Sequence, residues 1–242
     1  QKIARNKYNR KESLEIWKLG QNFMDFLHLQ RMFLNNILHG TPEFQGSLFP
    51  DTKPFVNGLT KLLNYGIFSV NGQGNTSHRT RKIKDKNYTT MSIPKDCKNC
   101  FYQTRQRQWL ELFMPKIYIE KFIQTAQIEN KPWIVISSRI AYLSTKLPKT
   151  FREKFTLETK VPTSILRCDK KSERLSSRRW RIRSQKRLWK ERSFPNSEDH
   201  PEYFPGLDKL MDENLTNIII IDLDFNNKFR TNLAEDILEI IE

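Results

Sequence analysis

Asn217-Ile218-Ile219-Ile220-Ile221-Asp222 is the stretch that decides how this 242-residue chain folds. Four consecutive isoleucines are stiff at χ1 and favour extended backbone. Side chains of a strand alternate between faces, so an unbroken apolar run predicts a strand buried on both faces. A sheet with cover on each side is therefore required. Downstream, Leu233–Ile241 has the apolar spacing of an amphipathic helix, with Thr231 or Asn232 as its cap. Upstream, Pro205–Asp212 reads as a short helix, and Ser193-Phe194-Pro195-Asn196 as a break.

Further upstream, Trp133–Ser137 and Lys154–Val161 are β-rich runs, and Cys100–Gln127 reads as a helix with Pro115 as a kink or boundary. The N-terminal third is helical. Apolar residues from Glu12 to His39 fall mostly at helical spacing, with Gly20 a point of division into two helices and Gly40 and Pro42 as the stop. After the loop Thr41–Pro50, Asp51 or Thr52 caps a second helical stretch whose buried face is Phe55, Val56, Leu59, Leu62 and Leu63. It ends at Asn64-Tyr65-Gly66. Ile67–Val70 then reads as a strand, Asn71–Asn75 as a turn, and Tyr88–Ile93 as the returning strand of a hairpin with a basic tip.

The fold class expected is α+β: an N-terminal helical part with a basic β-hairpin, then a small mixed sheet with flanking helices. Two domains are expected, residues 1–95 and 96–242. There is no regular strand–helix–strand rhythm and no internal repeat.

Charge is the anomaly in the composition. Lys and Arg number 42 against 27 acids, a net charge of +15 and a pI near 9.8. Hydrophobic residues make up 37% and aromatics 12%, enough for a packed core. Residues 193–242 hold twelve acids and three bases, a net of −9, so residues 1–192 carry +24. Such an excess repels itself unless a partner neutralises it, and a phosphate backbone is the commonest such partner.

The excess is densest in Arg174–Arg192, with Arg174, Arg178, Arg179, Arg181, Arg183, Lys186, Arg187, Lys190 and Arg192 opposed by Glu191 alone. Arg dominates, and its guanidinium forks to phosphate and stacks on bases as Lys does not. Glu173–Arg192 contains neither Gly nor Pro and is expected to be helical, with a thin seam of Leu175, Ile182 and Trp189. Trp180 sits off that seam, placed to stack on a base. A second basic group, Arg79, Arg81, Lys82, Lys84 and Lys86, falls at the hairpin tip. Basic helices also lie on anionic membranes or bind calmodulin, but this seam is thin for either.

From Thr52 to Ile93 the order helix, strand, basic loop, strand resembles the recognition helix and wing of a winged-helix domain, which three upstream helices would complete, with Glu12–His39 supplying two of them. The resemblance is one of pattern, without a diagnostic motif, and implies DNA binding. Other constellations carry less. Cys97-Lys98-Asn99-Cys100 has zinc-knuckle spacing, but a structural site takes four ligands, and Cys168, His28, His39, His78 and His200 are not at that spacing. Asp222 and Asp224 alternate at a strand end, as magnesium ligands do in nucleases; strand-end solubility explains them as well. No pairing of the four histidines follows from the sequence. There is no phosphate-binding glycine loop and no GxSxG, HExxH or kinase signature.

These features point to a non-catalytic nucleic-acid-binding protein: an RNA-binding component of a ribonucleoprotein of the ribosome-like kind, with protein subunits contacting its acidic C-terminal part. Neither catalytic nor metal-binding residues are expected, and no cofactor. A winged-helix DNA-binding or chromatin-associated protein is the alternative, and a nuclease the third reading. Three cysteines, an odd and low count, fit a reducing compartment, with mitochondrion and nucleus both open. No apolar run reaches the length of a membrane span, and Gln1–Arg10 leads into no secretory h-region. The first residue is Gln rather than Met, so a chain that was processed, trimmed or cut from something longer is expected.

Overall fold

The computed structural model describes residues 6–41, 46–48, 52–74, 76–80, 82–84, 90–92, 102–137, 141–156, 159–168, 172–179, 214–223 and 232–242. The chain begins with α1, Arg10–Lys18, and α2, Phe23–Leu34. Each opens on an asparagine capping box, Asn9 with Glu12 and Asn22 with Asp25, so two orphan amide donors are satisfied at each start. The break expected at Gly20 lies between them. The indole Nε1 of Trp17 donates to Gly40 O at 3.0 Å and ties the end of the loop after α2 back to α1. A 3-10 turn, Lys53–Phe55, leads into α3, Val56–Leu62.

Next come β1, Phe68–Gln73; β2, Thr76–Thr80; β3, Lys82–Lys84; β4, Thr90–Ser92; β5, Tyr102–Gln106; and β6, Trp109–Pro115. They build a ribbon with a shared register. Asn71, Gly72 and Gln73 pair with Glu111, Leu110 and Trp109. Thr76 to Thr80 pair with Gln106 to Tyr102 in the same, unshifted register. The outgoing strand β1–β2 and the returning strand β5–β6 therefore form one hairpin that runs through two sheets. Beyond Thr80 the register jumps, Lys82 pairing with Ser92 rather than Cys100, so β3 and β4 form a separate two-stranded ladder.

The rest of the chain adds α4, Lys116–Ile128; β7, Trp133–Ser137; β8, Ala141–Leu143; α5, Lys149–Glu153; β9, Lys160–Cys168; β10, Ser172–Arg179; β11, Leu215–Asp222; and α6, Leu233–Ile241. Five strands pair antiparallel in the order β1-β6-β11-β7-β8, and four in the order β10-β9-β5-β2. Helices and an antiparallel sheet segregated in this way make the fold α+β, as expected.

The isoleucine run is a central strand. Ile218 and Ile220 join the main core with residues of α2, α3, α4 and α6, while Ile219 and Ile221 join Trp109, Ile134, Ile136 and Val161 in a second cluster backed by Phe151 and Phe155. All four isoleucines are 0–1% exposed, so both faces are covered. Asn232 caps α6 by accepting from Glu235 N at 3.1 Å.

Four expectations are corrected. Tyr102–Gln106 and Trp109–Pro115 are strands, and the helix read over Cys100–Gln127 begins only at Lys116. The reason is burial: every residue from Trp109 to Met114 is buried, which is the pattern of a central strand and has no period to tell it from a helix. The β-rich run read at Lys154–Val161 is displaced to Lys160–Cys168. The winged-helix pattern fails, because β1 returns through β6, and β4 pairs with β3 instead. α3 turns Gly58, Leu59 and Leu62 inward and packs against α6. Finally, the boundary at 95/96 does not separate two cores, since one cluster runs from Trp17 to Ile241 and β1 pairs across it with β6.

Candidate nucleic-acid interface

The two sheets share a ribbon yet differ in charge. Strands of the five-stranded sheet contain no base, and their acids are Glu111 and Asp222, both buried. Strands of the four-stranded sheet contain Arg79, Arg105, Lys160, Arg167, Arg174, Arg178 and Arg179 against Glu173 alone. A strand buried on both faces cannot hold unpaired charge, because desolvation costs too much. The four-stranded sheet is under a different constraint, and the residues of its β5 are all half-buried.

The structure brings together two segments that stand apart in the sequence. Arg79 lies on β2, and Arg174, Arg178 and Arg179 lie on β10; these are the two edges of the same sheet. Three inter-strand steps separate the edges, about 14 Å. The cross-strand rows are set by the register. Arg79, Gln103, Arg167 and Glu173 form one row, and His78, Thr104, Leu166 and Arg174 the next. Lys82 and Lys84 lie on β3, in the two-stranded ladder that follows β2.

The helix expected over Glu173–Arg192 is corrected in its described part. Ser172–Arg179 is a strand paired with β9, with a bulge between Ser176 and Ser177. Antiparallel pairing with β9, the strand just before it, overrides the helical propensity of Glu, Arg and Leu. The seven-residue seam starting from Leu175 rests on helical geometry, so it does not begin there. Arg81, Trp180, Arg181, Arg183, Lys186, Arg187, Lys190 and Arg192 lie outside the described residues, as does Lys86.

Sequence reasoning missed Arg105, Lys160 and Arg167, on the middle strands β5 and β9. They are scattered in the sequence, and only the pairing of β5 with β9 gathers them. A count of bases per window has no means of finding them.

The other candidate constellations are resolved in part. His28 is exposed on α2, not among core positions. His39 Nδ1 lies 3.2 Å from Asn6 Oδ1 and 3.1 Å from Ser47 Oγ. Both partners sit on one ring nitrogen, whereas a nucleophile–base–orienter relay uses both nitrogens. Asn6 Nδ2 donates to Leu38 O at 2.7 Å, which marks the cluster as a clamp on the loop. Asp222 is buried, and its N–H donates to Gln108 O at 3.0 Å. Asp224, His200, Cys97 and Cys100 lie outside the described residues, and His78 and Cys168 fall on β2 and β9. Among the described residues, no three His, Cys, Asp or Glu side chains group as a metal site, and no helix is long and apolar enough to cross a membrane.

No protein-family model matches the sequence, and neither does any curated protein.

Proposed function

We propose that this protein is a non-catalytic nucleic-acid-binding component of a larger assembly, with structured RNA as the partner of its basic four-stranded sheet. The observation that carries the reading is the division of charge between two sheets built on one ribbon: seven bases against one acid on one, no base on the other. Six of the seven bases are Arg, the residue suited to bidentate phosphate contact and to stacking on unpaired bases. Lys82 and Lys84, on the two-stranded ladder that follows β2, add to the same charge. The C-terminal fifty residues, with their net of −9, are the expected contact for protein subunits. The compartment that fits is a reducing one, mitochondrion or nucleus.

The test is the salt dependence of binding. Affinity for structured RNA and for duplex DNA of equal length is measured across a range of salt. Removing one phosphate-binding side chain should flatten the log–log slope by about 0.7–0.9. The triple charge reversal of Arg174, Arg178 and Arg179 to Glu is expected to weaken RNA binding and flatten the slope by about two or more on that scale. An unchanged slope would remove β10 from the interface. A clear preference for duplex DNA would overturn RNA as the partner.

A further inference from the structure

The two sheets differ in how their inner strands are covered. In the five-stranded sheet the inner strands β6, β11 and β7 are buried almost throughout. β5 is likewise an inner strand, between β2 and β9, yet all five of its residues are only half-buried. Successive residues of a strand belong to opposite faces, so neither face of the four-stranded sheet is sealed at β5.

Gln103 and Arg105 share the face whose register positions include Arg79 and Arg167, the charged one. The opposite face is of another kind. Tyr102, Thr104 and Gln106 hold its positions on β5, and three cross-strand rows run through them. Thr80, Tyr102, Cys168 and Ser172 form one row, beside that of His78, Thr104, Leu166 and Arg174. Across the three rows Arg174 is the one lysine or arginine, and no position is acidic. Tyr102 pairs with Thr80, and His78 lies two residues before Thr80, so Tyr102 and His78 are diagonal neighbours, their positions about 7–8 Å apart.

A face of hydroxyl and amide residues with two ring positions has little apolar area to offer a protein partner. Its lack of acids and its one arginine complement a nucleic-acid strand. Rings take the faces of splayed bases, and hydroxyls and amides bond to base edges.

We propose that this face binds unpaired nucleotides of RNA, with Tyr102 and His78 as stacking positions for two bases. The proposal rests on the reading of the protein as RNA-binding and gives the sheet two roles. The Arg79 face takes the backbone of a structured segment, and the Tyr102 face takes a single strand.

The probes are a short oligouridine, which stays unstructured, and a blunt RNA duplex. Each is titrated with the full chain by fluorescence anisotropy across a range of salt, and the wild type is expected to bind both. Tyr102→Leu keeps bulk but not the ring. It is expected to weaken oligouridine binding about tenfold, the worth of one stacked base, and to leave duplex binding within about twofold. The salt slope for oligouridine should stay as in the wild type, because stacking releases no counterions, whereas a distorted sheet that lost charged contacts would flatten it. Tyr102→Phe, which retains the ring, should bind oligouridine as the wild type does. Equal losses for both probes, or no loss for either, would overturn the proposal while leaving the sheet an RNA-binding surface, and so would a wild type that binds the duplex alone. A wild type that binds neither probe would overturn RNA binding itself, and this site with it. Should Tyr102→Leu fail to fold, photocrosslinking of a bromouridine-substituted strand to the wild-type chain decides. Adducts are expected at Tyr102 or His78, and adducts at neither would sink the assignment.

Discussion

Gly58 on α3 lies against Ala234 on α6 so closely that a Cβ built on Gly58 would sit 2.8 Å from the Ala234 Cβ. The backbone is just as near, with Ala234 C at 3.0 Å and Glu235 N at 3.1 Å. Contact between helices from opposite ends of the chain thus depends on a missing side chain. Gly58→Val is expected to force α3 and α6 apart and to cost about 1–3 kcal/mol, the usual range for overpacking. Gly58→Ala should cost less, because better helix propensity returns up to about 1 kcal/mol. Adding Ala234→Gly should recover part of the Gly58→Ala loss but not all, since the backbone contacts remain. Urea midpoints of the three proteins check this, and a Gly58→Val protein as stable as wild type would refute the close packing.

How far the fold is legible in the sequence depends on whether a signal is local. Gly20 divides two helices, Asn232 caps the last one, and Ile218–Ile221 is the doubly buried strand; each is read from a few neighbouring residues. Trp109–Met114 misleads because continuous burial erases periodicity, and Ser172–Arg179 because its residues favour helix in isolation. The same limit applies to the interface. Arg79 and Arg174 are visible as parts of two basic segments, but nothing local says that their strands are the two edges of one sheet. Tyr102 and His78 likewise become neighbours only through the pairing of β2 with β5.

Trp17 is fully buried, meets Phe26 edge-on with ring centroids 5.4 Å apart, and donates to Gly40 O at 3.0 Å. Trp17→Phe keeps a ring in the core but leaves the Gly40 carbonyl without its donor and opens space where the indole stood. The expected cost is about 2–4 kcal/mol, from the missing buried hydrogen bond and a partial cavity. Equilibrium unfolding by urea measures it, and a cost below about 1 kcal/mol would mean that the loop relaxes freely.

Tyr142 gives a prediction for alkaline pH. Its hydroxyl donates to Lys131 O at 2.7 Å, and burial raises its pKa above the usual 10.0, with a hydrogen bond to Ser144 opposing. The folded value lies above the unfolded one, so the native state holds this proton more tightly. The stabilisation it provides is complete below the unfolded pKa and is lost as pH rises through the folded one. Tyr142→Phe should therefore flatten the fall in stability above pH 10. An ultraviolet difference titration should show one phenol fewer in the late-ionising group. A wild type and variant with parallel stability–pH curves in that range would contradict the assignment.

The bases on the middle strands offer the sharpest check on the interface, because they come from the sheet and not from the density of charge along the chain. Arg105 on β5 pairs with Ile165, and Arg167 on β9 pairs with Gln103, whose other partner is Arg79 on the edge strand β2. By the alternation of a strand, Arg79, Arg105 and Arg167 therefore hold register positions of one face, while Arg174, in the next row, holds one of the other. If the face of Arg79 is the binding surface, a phosphate backbone crossing it meets Arg105 and Arg167. Arg105→Ala with Arg167→Ala should weaken RNA binding about equally for all sequences and flatten the salt slope by about 1.5, since phosphate contacts position a nucleic acid without reading it. Lys61→Ala with Lys121→Ala is the matched control. Both lysines are exposed on α3 and α4, which cover the other sheet, and their removal takes away the same formal charge. Net charge alone would make the two pairs equivalent. A sheet interface requires the first pair to act and the second to leave the slope nearly unchanged, with both proteins shown by urea unfolding to retain their fold. Equal effects from the two pairs would reduce the sheet to one part of a diffuse positive surface.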